Sequence, residues 1–358
     1  MTRPISAQIC LSHLRHNYQL LRERAKPASI MAVVKADAYG HGLDIVAPEL
    51  SAEGCSEFAA TDIAEGVRLR NILTDDKTSV AVLAGVFDLE DARAAGDYEL
   101  CPVICSDWQL DLLRDSGFTG RVWLKVETGM HRLGAHDAKT LYEKISQAGI
   151  TVVGIMSHLA CADTPDHSLN AEQKKNFARI HAQLDETLSG SLLNSAGIAA
   201  MAEQHWDVVR PGIALYGVEP ATGMKLGFKP VMHFSSQIIH IQNLSAGDSV
   251  SYGATFTARD ATCIAVVAAG YSDGLPRSLS NHGNAIWRGI KLPIIGRVCM
   301  DYCMLDMGGH FPNIGDDIEF WGEELPASEV ARQAGTISYE LFTGVNARVP
   351  RQAVETFT

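Results

Sequence analysis

The stretch Val33-Val34-Lys35-Ala36-Asp37-Ala38-Tyr39-Gly40-His41-Gly42 sets an amine, a phenol and two glycines close together in the chain. It closes an apolar run over 30–34, mostly β-branched, which is the pattern of a buried strand. Lys35 sits where that strand leaves the core. Partial desolvation there lowers a lysine pKa and frees a nucleophilic amine. Gly40 and Gly42 let the backbone come close to another group, and Tyr39 adds a hydroxyl donor. An amine nucleophile beside a polar turn suits a Schiff base to a phosphorylated aldehyde cofactor. A solvated charge at a strand end has the same local pattern, so the rest of the chain has to decide between them.

Apolar stretches at 57–60, 79–83, 100–104, 121–126, 151–156, 191–193 and 206–209 also read as strands. Helical periodicity fills the gaps. It covers 42–52, a helix to Leu73 capped by Thr61, 88–95, 138–148 and 170–188, the last aligning Phe177, Ile180 and Leu184. Ser106-Asp107-Trp108-Gln109 has capping-box spacing at the start of a further helix. Before the first strand, a helix over 11–25 puts Leu14, Tyr18 and Leu21 on one face. Strands alternating with helices eight times predict an α/β fold, a TIM-like (β/α)8 barrel. After about Gly223 the rhythm changes to strands at 231–242, 248–252, 262–269, 285–287, 291–295, 303–307 and 317–320, interrupted by a helix over 327–334. The expected division is a barrel over 1–225 and a mostly-β C-terminal domain over 226–358.

The 358 residues, 46% of them hydrophobic, suffice for two such cores, while a net charge of −12 disfavours nucleic acid and anionic membranes as partners. No apolar segment approaches the ~20 residues that span a bilayer, and the N-terminal residues lack the apolar centre of a signal peptide. The expectation is a cytoplasmic protein. Cys101 and Cys105, like Cys299 and Cys303, lack a histidine arrangement suited to zinc. Reduced thiols and no metal are expected.

Chemistry in a parallel barrel sits at the carboxyl ends of its strands. Lys35 ends the first strand, and Lys125 with Glu127-Thr128-Gly129-Met130-His131-Arg132 ends the fifth. His158 follows the sixth, Asn194-Ser195 the seventh, and Arg210-Pro211-Gly212-Ile213 the eighth. Loops after the last two strands commonly hold phosphate. The Ser195 hydroxyl and the backbone N–H groups of Gly212 and Ile213 are suitable donors. Each cluster alone could be a structural cap; five on one rim point to a site.

The stretch 33–42 closely resembles the cofactor-lysine signature of bacterial alanine racemases, which are pyridoxal-phosphate enzymes. Met156-Ser157-His158-Leu159-Ala160, Asn194-Ser195-Ala196 and 210–217 resemble further segments of that family, as do Ser251-Tyr252-Gly253-Ala254, 270–274, 296–301 and Thr336-Ile337-Ser338-Tyr339-Glu340. Glu127 departs from the family's more usual aspartate and is expected to matter little. The resemblance implies pyridoxal 5'-phosphate on Lys35, with Tyr39 and Tyr339 donating to its phosphate. Lys35 and Tyr252 are implied as bases on opposite faces, Lys35 for D-alanine and Tyr252 for L-alanine. A phenol of pKa about 10 needs help to act as a base, and His158 and Arg210 are the groups placed to give it. Arg210 suits the pyridine nitrogen, although a basic residue beside Pro-Gly also suits phosphate. Arg132 is implied as the clamp on the substrate carboxylate, with Met300 covering the substrate side. Lys125 matches a position often carbamylated in relatives and is equally an ordinary strand-end lysine. Asp301 is read as orienting Lys35 or a loop. In the family, Tyr252 and Met300 reach the partner chain's barrel, so a homodimer with shared sites is implied.

Three other functions share parts of this pattern. A racemase of broader specificity, for example for serine, differs by little in a small pocket. A non-enzymatic pyridoxal-phosphate carrier would end after the barrel. A decarboxylase of the same architecture would pair the ring nitrogen with an acid, where this chain has Arg210.

Overall fold

Strands buried on both faces need near-continuous apolar sequence, and the first half of the chain supplies it in short bursts. The computed structural model describes residues 3–73, 75, 77–201, 205–221 and 223–357. After β1 (Ile5–Cys10) come eight strands: β2 (Ser29–Val33), β3 (Glu57–Ala60), β4 (Ser79–Val82), β5 (Cys101–Ile104), β6 (Arg121–Lys125), β7 (Thr151–Met156), β8 (Ser189–Ser191) and β9 (Val208–Val209). They pair in sequence order, every pair parallel, and β9 returns to β2 through Ser29↔Val208 and Ile30↔Val209. A single bridge, Asn194↔Arg210, joins the ends of β8 and β9, with Arg210 N donating to Leu193 O at 2.9 Å. The expected (β/α)8 barrel is present, and its last seam is closed at the mouth.

The weakest readings fall at β8 and β9. Ser189-Gly190-Ser191 carries no apolar signal, and the run expected over 191–193 starts at its last residue. Gly190 is there because a Cβ would meet the Trp206 ring at 2.6 Å. The helix expected over 170–188 is Ser168–Gln183. It stops because Asp185 Oδ1 accepts from Thr187 N at 2.9 Å and Thr187 Oγ1 at 2.7 Å, a local turn that competes with the helix. Asp62, not Thr61, caps the helix Ile63–Ile72, its Oδ1 accepting from Glu65 N at 2.9 Å.

The second half forms β10 (Met232–Leu244), β11 (Ser249–Val250), β12 (Phe256–Thr257), β13 (Thr262–Val267), β14 (Asn284–Trp287), β15 (Ile290–Ile295), β16 (Cys303–Gly308), β17 (Asp317–Trp321) and β18 (Arg351–Val354). The order β13-β16-β15-β14-β17-β10 closes through β10 pairing with β13. A bulge between Ile238 and His240 lets β10 serve β1 and β17 at one end and β13 at the other. β1 pairs antiparallel with β10 and parallel with β18. The N-terminal strand therefore belongs to the second sheet, and a division at 225 assigns it to the wrong layer. Its alternation of buried Ile5, Ala7 and Ile9 is the period of a one-sided strand. Among the described residues, no helix is long and apolar enough to cross a membrane.

Asp273, 0% exposed, ties this sheet to the N-terminus. It pairs with Arg3 at 2.9 Å and Arg348 at 2.8 Å, and both arginines also reach Asp301, at 3.3 and 2.7 Å. Asp273→Ala removes the shared carboxylate from two guanidiniums that keep partial access to water. The expected loss of stability is about 1–3 kcal/mol, less than for a fully buried pair. Urea denaturation reads it; an unchanged midpoint with unchanged slope would remove the cluster from the account of stability.

Candidate active site

Lys35 enters the barrel mouth on an unusual backbone. Ala36, Asp37, Ala38 and Tyr39 have φ of 52°, 53°, 54° and 53°, and Gly40 has 76°. Left-handed turns cost roughly 1–2 kcal/mol per L-residue, so the neighbours must hold this one. Gly40 cannot carry a side chain because its Cβ would lie 2.1 Å from Phe342 O. That glycine admits another part of the chain rather than a ligand. Arg351 Nε donates to Gly40 O at 3.1 Å.

The mouth encloses a cavity of about 500 Å³. Lys35, Lys125, Arg132 and Arg210 line it, as do Tyr39 and Tyr339, His158, Ser195, Gly212 and Ile213. Ten of the expected site residues thus come together from five different strand ends and one C-terminal helix, Ser338–Gly344.

One wall is phenolic. The Tyr39 ring stacks on Tyr216 at 4.8 Å and lies 5.8 Å from Tyr339. Tyr216 Oη donates to Val33 O at 3.1 Å, bracing the strand that delivers Lys35. Burial pushes the Tyr39 and Tyr339 pKa values up, so both remain donors at neutral pH. Ser195 Oγ accepts from Gly212 N at 3.0 Å and Ala214 N at 3.3 Å, which leaves its own proton to donate. Gly212 N is therefore spent on orienting Ser195, whereas the sequence reading assigned it to phosphate. Ile213 N heads the short 3-10 turn Ile213–Tyr216, where the helix offers it no internal acceptor. A Cβ on Gly212 would meet Tyr39 Oη at 2.4 Å.

The opposite wall is cationic. Arg210 is 6% exposed; Nη1 donates to Ser191 Oγ at 2.5 Å and Nη2 to Ser157 O. Nη2 also faces His158 Nδ1 at 3.4 Å. An arginine cannot accept, so Nδ1 is the acceptor of that contact, while the Asn194 amide Nδ2 faces Nε2 at 3.5 Å. Burial, then the charges of Arg210 and Arg132, holds His158 well below its ordinary pKa and neutral. Burial lowers the Arg210 pKa to about 10, with Arg132 adding to the effect, so it remains charged at neutral pH. Lys125 is pushed down to about 8 by burial, then by Arg210 and Arg132. Burial and then Arg132 also lower the Lys35 pKa, with Glu65 opposing. Among the described residues, none of the four cations has a carboxylate within ion-pair distance. Four basic groups without a carboxylate partner make the cavity a fit place for anionic ligand groups.

Glu127 matters more than expected. Its carboxylate accepts from Gly129 N at 2.5 Å, Met130 N at 2.8 Å and His131 N at 3.1 Å, and so shapes the loop that delivers Arg132. Ser157, Ser191 and Tyr216 were also missed. They are strand-end groups that touch site residues, and only the fold reveals that proximity. Of the two roles read for Asp301, its ion pairs with Arg3 and Arg348 fit the orienting of a loop. Tyr252 and Met300 do not join the cavity of their own chain. They lie 73% and 53% exposed on the second domain.

Comparison with known proteins decides the family. The family model "Alanine racemase, N-terminal domain" matches residues 9–220, and "Alanine racemase, C-terminal domain" matches 231–353. The chain belongs to the alanine racemase family. A relative in Nitrosomonas eutropha named alanine racemase is 40% identical, with 98% of this chain and 99% of that protein covered. The crystal structure of biosynthetic alanine racemase from Pseudomonas aeruginosa superposes with a TM-score of 0.93 at 34% identity, covering 99% of this chain and 100% of that one. Alanine racemase from Bartonella henselae, solved with covalently bound pyridoxal phosphate, superposes with a TM-score of 0.90 at 31% identity, covering 98% and 99%. Family membership gives the four cations and two phenols of the cavity a common context.

Proposed function

We propose that this chain is a pyridoxal-phosphate-dependent alanine racemase that interconverts L- and D-alanine with Lys35 and Tyr252 as its two bases. The observation that carries the reading is the set of four cations without carboxylate partners facing two donor phenols in one cavity. A phosphate and a substrate carboxylate supply the missing anions. Tyr39, Ser195, Ile213 N and Tyr339 would hold the phosphate, Lys35 the aldehyde carbon, and Arg210 the ring nitrogen. Arg132 and the partner's Met300 would hold the substrate carboxylate.

When bound, the cofactor supplies the electron sink that makes an amino-acid α-proton removable. Lys35, kept below its ordinary pKa by burial, has the neutral fraction needed to take the proton of D-alanine. Tyr252 takes that of L-alanine from the other face. Arg210 can donate but never accept, so it places no proton on the acceptor it faces. Glu127 fixes the Arg132 loop. Lys125, at about 8, has a neutral fraction open to carbamylation, and a carbamate there would orient Arg132.

Exposure of Tyr252 and Met300 supports a homodimer in which each second domain completes the partner's site. Tyr271 and Tyr302 beside them, Phe87 and Leu133 on the barrel loops, and Trp108 in the first turn of the helix Asp107–Ser116 are also exposed apolar surface that such a partner would cover. The place of action we infer is the cytoplasm, and the product D-alanine serves peptidoglycan synthesis or enters alanine catabolism. No finding favours the reading of broader or serine specificity. A chiral assay of the purified protein against a panel of L-amino acids tests the proposal. Alanine is expected to turn over at least about tenfold faster than serine, one polar group being worth about 1.4 kcal/mol or more in a fitted pocket. Equal rates would overturn alanine specificity.

A further inference from the structure

The left-handed turn after Lys35 raises the question of what keeps it in place. Inside the turn, Gly40 N donates to Ala36 O and Gly42 N to Asp37 O, both at 2.9 Å. These bonds close the turn but do not fix it to the barrel. Asp37 Oδ1 accepts from Leu43 N at 2.9 Å and pairs with Arg68 at 2.8 Å, on the solvent side. His41 Nδ1 donates to Tyr39 O at 3.0 Å at the far end. On the cavity side the tie is Glu65, from the helix Ile63–Ile72. Its Oε2 accepts from Thr61 N at 2.9 Å, and Thr61 lines the cavity. Its Oε1 reaches across to Asp37 N at 3.4 Å.

We propose that Glu65 is the positioning residue for Lys35: its carboxylate pins the strained turn to the barrel rim and sets the amine's orientation and field. The inference rests on the reading of Lys35 as the reactive amine. A plain helix cap would send the carboxylate back to its own N-terminus alone. Here one oxygen serves that end and the other crosses to a different segment. The charges facing the Lys35 amine from the other elements are Arg132, Lys125 and Arg210, with neutral His158, Tyr39 and Tyr339. Arg132 disfavours the protonated amine and Glu65 opposes it.

The test uses the apoprotein as well as the holoenzyme. Differential acetylation of apoprotein lysines, read by peptide mapping across pH, gives the Lys35 titration midpoint. Glu65→Gln is expected to move that midpoint to lower pH by roughly half a unit or more, because it removes the opposing negative charge. Glu65→Asp is expected to restore it in part. Amide hydrogen exchange over 36–42 is expected to quicken at least about tenfold in Glu65→Gln. Asp62→Ala removes the helix cap without touching Asp37, and should do neither. An unmoved midpoint in Glu65→Gln, or exchange no faster than in Asp62→Ala, overturns the proposal. Borohydride trapping of the wild-type holoenzyme keeps the two readings apart. A tag on another lysine would sink the cofactor assignment while the exchange result still reports on the turn.

Discussion

Lys35→Ala is expected to lose racemisation in both directions by a factor of about 10⁴ or more, since it removes both the tether for the aldehyde and one of two bases. Cofactor phosphate donors on Tyr39, Ser195 and Tyr339 remain, so the variant should retain some affinity for pyridoxal phosphate. The diagnostic measurement is α-hydrogen exchange in deuterated water followed by mass spectrometry. With Tyr252 left in place, residual exchange should persist on L-alanine and vanish on D-alanine. Burial and Arg132 lower the Lys35 pKa and so favour the neutral amine on which this asymmetry depends. Retained exchange on D-alanine alone would reverse the base assignment, and racemisation within tenfold of wild type would remove Lys35 from the chemistry.

The alternation that specifies the barrel was legible wherever strands were apolar on both faces. Glu57–Ala60 and Thr151–Met156 were expected to the residue. It failed at Ser189–Ser191, where the strand is polar and pairing comes from backbone bonds and from Trp206 filling the space above Gly190. The small helices Ser195–Ala200 and Ser338–Gly344 were also missed, being too short for a periodic signal. The cavity residues of the barrel were legible because the site draws on strand ends, each marked by a polar residue after an apolar run, whereas Tyr339, on the helix Ser338–Gly344, was named only through the family resemblance. Two features were not. The left-handed hand of 36–39 has no signature in Ala-Asp-Ala-Tyr, since alanine and tyrosine avoid it and it takes both the bonds inside the turn and its contacts with the rest of the fold to hold them there. Glu127 looked incidental because its partners are backbone N–H groups, which sequence does not display.

Tyr252→Phe is expected to cut racemisation by roughly 10²–10⁴ while leaving cofactor binding intact, because the groups assigned to the cofactor, Lys35, Tyr39, Ser195, Arg210 and Tyr339, all line the cavity without it. Exchange should then survive on D-alanine and be lost on L-alanine, the mirror of the Lys35 variant. Shared sites make a sharper demand. If Tyr252 serves the partner's barrel, a hybrid of one Lys35→Ala chain and one Tyr252→Phe chain has one site carrying both defects and one carrying none. Unfolding and refolding the two inactive variants together at equal ratio should therefore recover about a quarter of wild-type activity, half the dimers being hybrids with one good site of two. Activity that stays at the level of the parents would mean that each chain supplies both of its own bases. The exposed position of Tyr252 would then need a large movement of the second domain to bring the phenol to the cavity.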